Sequence, residues 1–295
     1  MLSKILFTTT LLLAIYMIGI DFFKSFYTSQ HQWQDNIVKA QNYLYNKKNS
    51  ENVIIGSSLS NRLIMDSIPN LTNIAFSGLS IFDGLNLVLH KDILPKNVFI
   101  EMNVALRPKD DQFETSLFSP ISFYSKKIFS SLRDDKQPVG IAGVYVNQKL
   151  TKKVLFKIKS FTGSMKASKV NSNKDLFQTM LNNQITQYSI SPDTILIEDR
   201  FTLLQKTIKY LESKGTKITF FEMPVNQSLC NLPKATIIRQ NFQKYFPNKN
   251  YTYISTPSCS EYKTTDGVHL TNKEAIKYTL YFRSEAENII RQKNL

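Results

Sequence analysis

Apolar positions follow three rhythms along this chain, and each predicts a different kind of element. Directly after Lys4, residues 5 to 20 (ILFTTTLLLAIYMIGI) hold no charged side chain, which predicts a helix that is apolar all round. Sixteen residues cover about 24 Å, short of the ~30 Å hydrocarbon core of a bilayer, so a span would have to borrow Asp21, Phe22 and Phe23 or sit in a thinned bilayer. No small-x-small cleavage site follows the run, so residues 1–24 are expected to form an uncleaved signal anchor; a cleaved signal peptide and a buried core helix are the competing readings. With Lys4 held on the cytoplasmic side, the rest of the chain would be exported from a bacterial inner membrane as a single-pass protein.

The second rhythm is a set of short apolar runs rich in β-branched and aromatic residues: ENVIIG at 51–56, NIAF at 73–76, NVFIEMN at 97–103, KITFFEMP at 217–224 and YTYIST at 251–256. These predict five buried strands. The third is helical spacing between and after them. It runs over 80–94, through Phe201, Leu204, Ile208 and Leu211 before Gly215, and through Ala275, Tyr278, Phe282, Ala286 and Ile289 behind a capping-box pair, Thr271 and Glu274. Strands alternating with helices predict an α/β fold, a mainly parallel sheet of about five strands covered on both faces. Residues 25–50 are expected to hold a linker helix in which His31 and Trp33 serve surface or packing roles, and 51–295 one domain interrupted by an insertion over about 105–195.

Charge adds a partner question. The chain carries 37 Lys plus Arg against 23 Asp plus Glu, a net +14, and nine lysines with no acidic residue lie between Lys136 and Lys174. Export argues against nucleic acid, and the segment lacks the interleaved aromatics that stack bases. Lys149, Lys152, Lys153, Lys157 and Lys159 are therefore expected to meet anionic headgroups or an acidic glycan, the bland alternative being a solvated face. Cys230 and Cys259 would pair in an oxidising compartment and close a loop of about thirty residues, a stabilisation of roughly 3 kcal/mol; two free buried thiols are the alternative. No His, Cys or carboxylate cluster has metal-ligand spacing.

The chemistry falls at strand ends, where parallel sheets build ligand sites. The first strand runs into Gly56, Ser57, Ser58, Leu59 and Ser60, and a serine at a tight strand-to-helix turn suits a nucleophile, although serine also serves as an ordinary helix cap. Gly78 after the second strand offers a backbone amide, and Asn103 after the third a side-chain amide, as donors to an oxyanion. Asp266 lies three residues before His269, close enough for the carboxylate to orient an imidazole acting as general base; mere packing ahead of the last helix is the plain alternative for His269.

Taken together, GSSL (56–59), NIAFSG, EMN (101–103) and DGVH resemble the four blocks of the SGNH or GDSL-type hydrolases, in the same order and over most of residues 51–290. The resemblance implies a three-layer, flavodoxin-like fold without a cofactor. It makes Ser58 the nucleophile with Asp266 and His269, and assigns the oxyanion hole to the Ser58 amide, Gly78 and Asn103. Three positions depart from the pattern: Ser57 stands where the first block has aspartate, and Glu101 and Val104 where the third has glycine and aspartate. These departures make the chain more similar to membrane-anchored SGNH proteins of bacterial envelopes, which O-acetylate polysaccharides or assist D-alanylation of teichoic acids, than to simple esterases. The expected function is acyl transfer or ester hydrolysis on an envelope glycan through an acyl-serine, with a membrane O-acyltransferase as a partner. The alternative is a non-catalytic envelope protein that binds polysaccharide or such a partner.

Overall fold

The computed structural model describes residues 1–22, 31–46, 49–68, 70–136 and 169–292, in two compact units: Met1–Lys47 with Asp111–Ala167, and Lys48–Asp110 with Ser168–Leu295. In the first unit, α1 (Leu2–Phe22) is the all-round apolar helix expected from the sequence. Among the described residues, however, no helix is long and apolar enough to cross a membrane. The transmembrane reading of residues 1–24 is therefore unsupported; the uncharged run is only sixteen residues, about 24 Å of helix.

The second helix, α2 (Gln32–Tyr45), opens where the His31 side chain accepts a hydrogen bond from the Trp33 amide, and it buries Ile37, Val38, Ala40, Tyr43 and Leu44. It packs with α4 (Asp111–Phe118), the Trp33 ring meeting Phe113 edge-on. Asp134 gathers Gln34, Gln41 and Lys126, the last from α5 (Pro120–Ile128), and these donors outweigh its burial and hold its carboxyl below the usual range.

The second unit is an α/β domain. Its five strands are β1 (Asn52–Ile55), β2 (Thr72–Asn73), β3 (Asn97–Glu101), β4 (Lys217–Phe221) and β5 (Thr252–Tyr253), all parallel in the order β2-β1-β3-β4-β5. Four of them lie within the expected runs, whereas β2 starts one residue ahead of the run at 73–76 and shares only Asn73 with it. The two edge strands are short, but the ladder continues past β2 through the amides of Ile74 and Phe76, which donate to Ile54 and Gly56. Alternation along the strands divides the core. Ile54, Phe99 and Phe221 pack under α10 (Asn272–Gln292), against its Tyr278, Phe282 and Ala286. On the other face lie α3 (Ile81–Leu89), α7 (Thr194–Ser213) and α9 (Pro233–Tyr245), where Phe220 and Phe201 both pack on Phe242. This gives three layers. Helix α3 sits so close to β1 that a Cβ at Gly84 would lie 2.7 Å from Ile55 Cγ2, so only glycine fits there.

The segment expected as an insertion joins this domain in part. Its residues Lys169–Ser189 form α6, whose Leu181 and Tyr188 are buried with Val225 and Leu229, the latter on the short helix α8 (Gln227–Cys230).

Candidate active site

At the end of β1 the chain does not enter the helix that the serine-rich turn predicts, but a single 3-10 turn over Ser60–Arg62. The reason lies in Glu101, the last residue of β3. Its carboxylate is fully buried and accepts four hydrogen bonds from this turn: Ser57 N at 2.9 Å, Ser57 Oγ at 2.8 Å, Ser60 N at 3.2 Å and Ser60 Oγ at 2.6 Å. Ser57 Oγ in turn accepts from the Leu59 amide at 3.2 Å. Ser57 thus closes the turn with its side chain, and neither it nor Ser58 caps a helix: the residue ahead of the 3-10 turn is Leu59. Of the four amides from 57 to 60, that of Ser58 alone has no acceptor among the described residues.

Ser58 instead faces the loop that follows β5. Its Oγ lies 2.8 Å from His269 Nε2, while His269 Nδ1 lies 2.6 Å from Asp266 Oδ2. Asp266 also accepts the amides of Val268 at 3.1 Å and His269 at 2.8 Å through Oδ1. Burial pushes the Asp266 carboxyl up, but the His269 ring and the two amides outweigh it and hold it down at about 2. An ionised carboxylate on Nδ1 fixes the tautomer that leaves Nε2 as acceptor for the Ser58 proton.

The loop is shaped for this purpose by several independent ties. A bridge pairs Thr264 with Leu270, the Thr265 amide donates to the His269 carbonyl, and Gly267 turns the chain at φ 100°, a conformation that L side chains rarely adopt. Arg62, from the turn that carries Ser58, donates to the Leu270 carbonyl at 2.6 Å and so ties the two loops together. Upstream, Cys230 and Cys259 are joined as a disulfide with Cα atoms 6.2 Å apart, linking α8 to the segment leading into the loop. Arg239 on α9 braces the same end. It grips Glu222 through two hydrogen bonds of 2.7 and 2.8 Å and donates to the Cys230 carbonyl.

Asn103 exchanges two hydrogen bonds with the Met223 backbone, its Nδ2 donating at 2.9 Å and its Oδ1 accepting at 2.7 Å. That pairing locks the amide plane and leaves the second Nδ2 hydrogen to donate elsewhere. Gly78 occupies a turn closed by the Leu79 amide on the Phe76 carbonyl, at φ 80°. It is exposed, and it does not line the cleft in which Ser58, Asn103 and His269 meet.

That cleft has a volume of about 570 Å³. One wall comes from residues the sequence leaves outside the site: Gln184, Gln187 and Tyr188 of α6, then Ile190, Pro192 and Leu196. Arg107 and Lys234 complete it. Tyr188 is buried, and burial followed by the charges of Glu101 and Glu222 pushes its phenol up to about 12, so it remains a neutral donor. Helical spacing around Phe177, Leu181, Tyr188 is the only signal that would have marked α6 as a packed element. Lys149, Lys152, Lys153, Lys157 and Lys159 lie outside the described residues. Among the described residues, no group of three or more His, Cys, Asp or Glu is placed to hold a metal ion.

In chemical terms the arrangement offers a hydroxyl, a base aligned on it, a carboxylate fixing that base, and an unengaged amide beside the hydroxyl. No family model matches this chain, and neither a curated protein nor a solved structure is significantly similar to it.

Proposed function

We propose that the protein is a serine-dependent acyl-transfer enzyme of SGNH type, acting on esters of a cell-envelope glycan. The observation that carries this reading is the unbroken line from Asp266 through His269 to Ser58, with gaps of 2.6 and 2.8 Å, opening into a cleft. His269 Nε2 removes the Ser58 proton as Oγ attacks the ester carbonyl, and the charge on that oxygen is met by the Ser58 amide and the second Nδ2 hydrogen of Asn103. Collapse expels the alcohol, which takes the proton back from His269 and leaves acyl-Ser58. A water or sugar hydroxyl, deprotonated by the same ring, then releases the acyl group. Gly78, expected as a third oxyanion donor, does not line the cleft and has no part in this step.

Attachment to a membrane, with the site on the extracytoplasmic face and an O-acyltransferase as partner, belongs to the same proposal. It is supported by the exposed apolar side chains of α1, among them Leu6, Phe7, Leu12 and Ile15. Alkaline carbonate extraction of membranes tests it: retention in the pellet supports attachment, and release counts against it.

The activity is tested with the full chain and an activated acetyl ester, followed by intact-mass measurement. An adduct of one acetyl group that is absent in Ser58→Ala is the expected result. No adduct, together with turnover that survives Ser58→Ala, would leave a glycan-binding protein without this chemistry.

A further inference from the structure

Among the described residues, none that lines the cleft is acidic, whereas Arg107 and Lys234 both line it along with Ser58 and His269. Nearby carboxylates are committed elsewhere: Asp266 to His269, Glu101 to the serine turn, and Glu222 to Arg239. Among the described residues neither cation has an ion-pair partner. Arg107 gives one N–H to the Leu79 carbonyl at 2.9 Å, which leaves four guanidinium hydrogens, and Lys234 Nζ stands over the Tyr188 ring, 5.1 Å from its centroid. Both side chains are thus steered toward the cleft, one by a carbonyl and the other by an aromatic face. Burial, with the charge of Arg107 added to it, holds the Lys234 ammonium below its usual range. Two like charges brought together without a counterion are an unfavourable arrangement that a bound anion relieves.

We infer that the cleft takes a ligand bearing a carboxylate or phosphate, held by Arg107 and Lys234 while an ester on the same ligand reaches Ser58. The ester part rests on the acyl-transfer reading; the anion subsite does not. Fork-shaped Arg107 suits two oxygens of either group, and Lys234 supplies a mobile third contact.

The test separates the two ideas. Phenyl acetate, 4-acetoxybenzoate and 4-acetoxyphenyl phosphate are titrated into the full-length Ser58→Ala protein and binding is read by ligand-observed NMR. The anionic esters are expected to bind about tenfold more tightly than the neutral one, with the gap closing in high salt. Adding Lys234→Gln should reduce that preference to about threefold or less, Lys234→Arg should restore it, and Arg107→Gln should act in the same direction as Lys234→Gln. The carboxylate and phosphate arms decide which anion is preferred. Equal binding of all three esters, or a preference unchanged in both Gln variants, overturns the anion subsite. Turnover that ignores Ser58 while the binding preference persists overturns the acyl-transfer reading alone.

Discussion

Ser57 donates its hydroxyl to Glu101 at 2.8 Å, so the turn that carries Ser58 is held by the last residue of β3. That carboxylate accepts four hydrogen bonds from the turn, two from amides and two from hydroxyls. Positions 57, 60 and 101 therefore work as one scaffold, which neither the serine-rich turn nor β3 provides alone.

Glu101→Ala should therefore be among the most damaging single changes in the domain. It leaves two amides and two hydroxyls without acceptors in a fully buried place, a loss of roughly 3–5 kcal/mol. Chemical denaturation measures it. Glu101→Gln keeps the volume but presents an N–H₂ where an acceptor is needed, and it should show an intermediate loss with acylation of Ser58 more impaired than stability.

Gly56→Ala tests the same scaffold from the backbone side. A Cβ there would lie 2.5 Å from Glu101 Oε2 and 2.8 Å from Glu101 Cβ, and neither can retreat because the carboxylate is held on four bonds. Lower stability and slower acylation are expected together, and wild-type behaviour in both would show that the turn is looser than described.

Within the catalytic line, the losses should not add. Ser58→Ala, His269→Gln and Asp266→Asn each remove the function of the whole relay, so a double variant should be no slower than the worse single one. Asp266→Asn is expected to lower turnover by about 10³–10⁴ through the wrong imidazole tautomer. Steady-state rates on one activated ester, compared across the singles and doubles, decide the point.

Asp266 also sets an acid limit. Its carboxyl titrates at about 2 in the folded protein against an ordinary 3.8, so the folded state favours the ionised form. That contribution is fully present above the unfolded value and is lost as pH falls through the folded one. Stability should fall between about pH 4 and pH 2, and Asp266→Asn should flatten that part of the curve when unfolding is followed against pH.

Reduction of the Cys230–Cys259 disulfide is expected to lower stability by roughly 3 kcal/mol, since it frees a loop whose ends lie 29 residues apart. Because the bridge anchors the segment leading to Asp266, acylation should weaken too. Thermal melts with and without reductant, and with Cys259→Ser, test both effects.

What the sequence determined by itself were the features written locally. Five apolar runs became five strands in one parallel sheet, because a buried parallel strand needs little more than a short β-branched run between helices. The Asp-x-x-His spacing was legible for the same reason: three residues suffice to place a carboxylate on an imidazole. The apolar run at residues 5–20 was equally legible as a helix, while among the described residues no helix is long and apolar enough to cross a membrane. Tertiary structure decided everything that depends on distant residues meeting. It brought Ser58 to His269 across 211 positions, turned the Ser57 hydroxyl onto Glu101 and the Ser58 hydroxyl onto His269, and made α6, from a segment that looked peripheral, a wall of the cleft through Gln184, Gln187 and Tyr188. Burial and charge pairing act through space, and no local pattern in the chain records them.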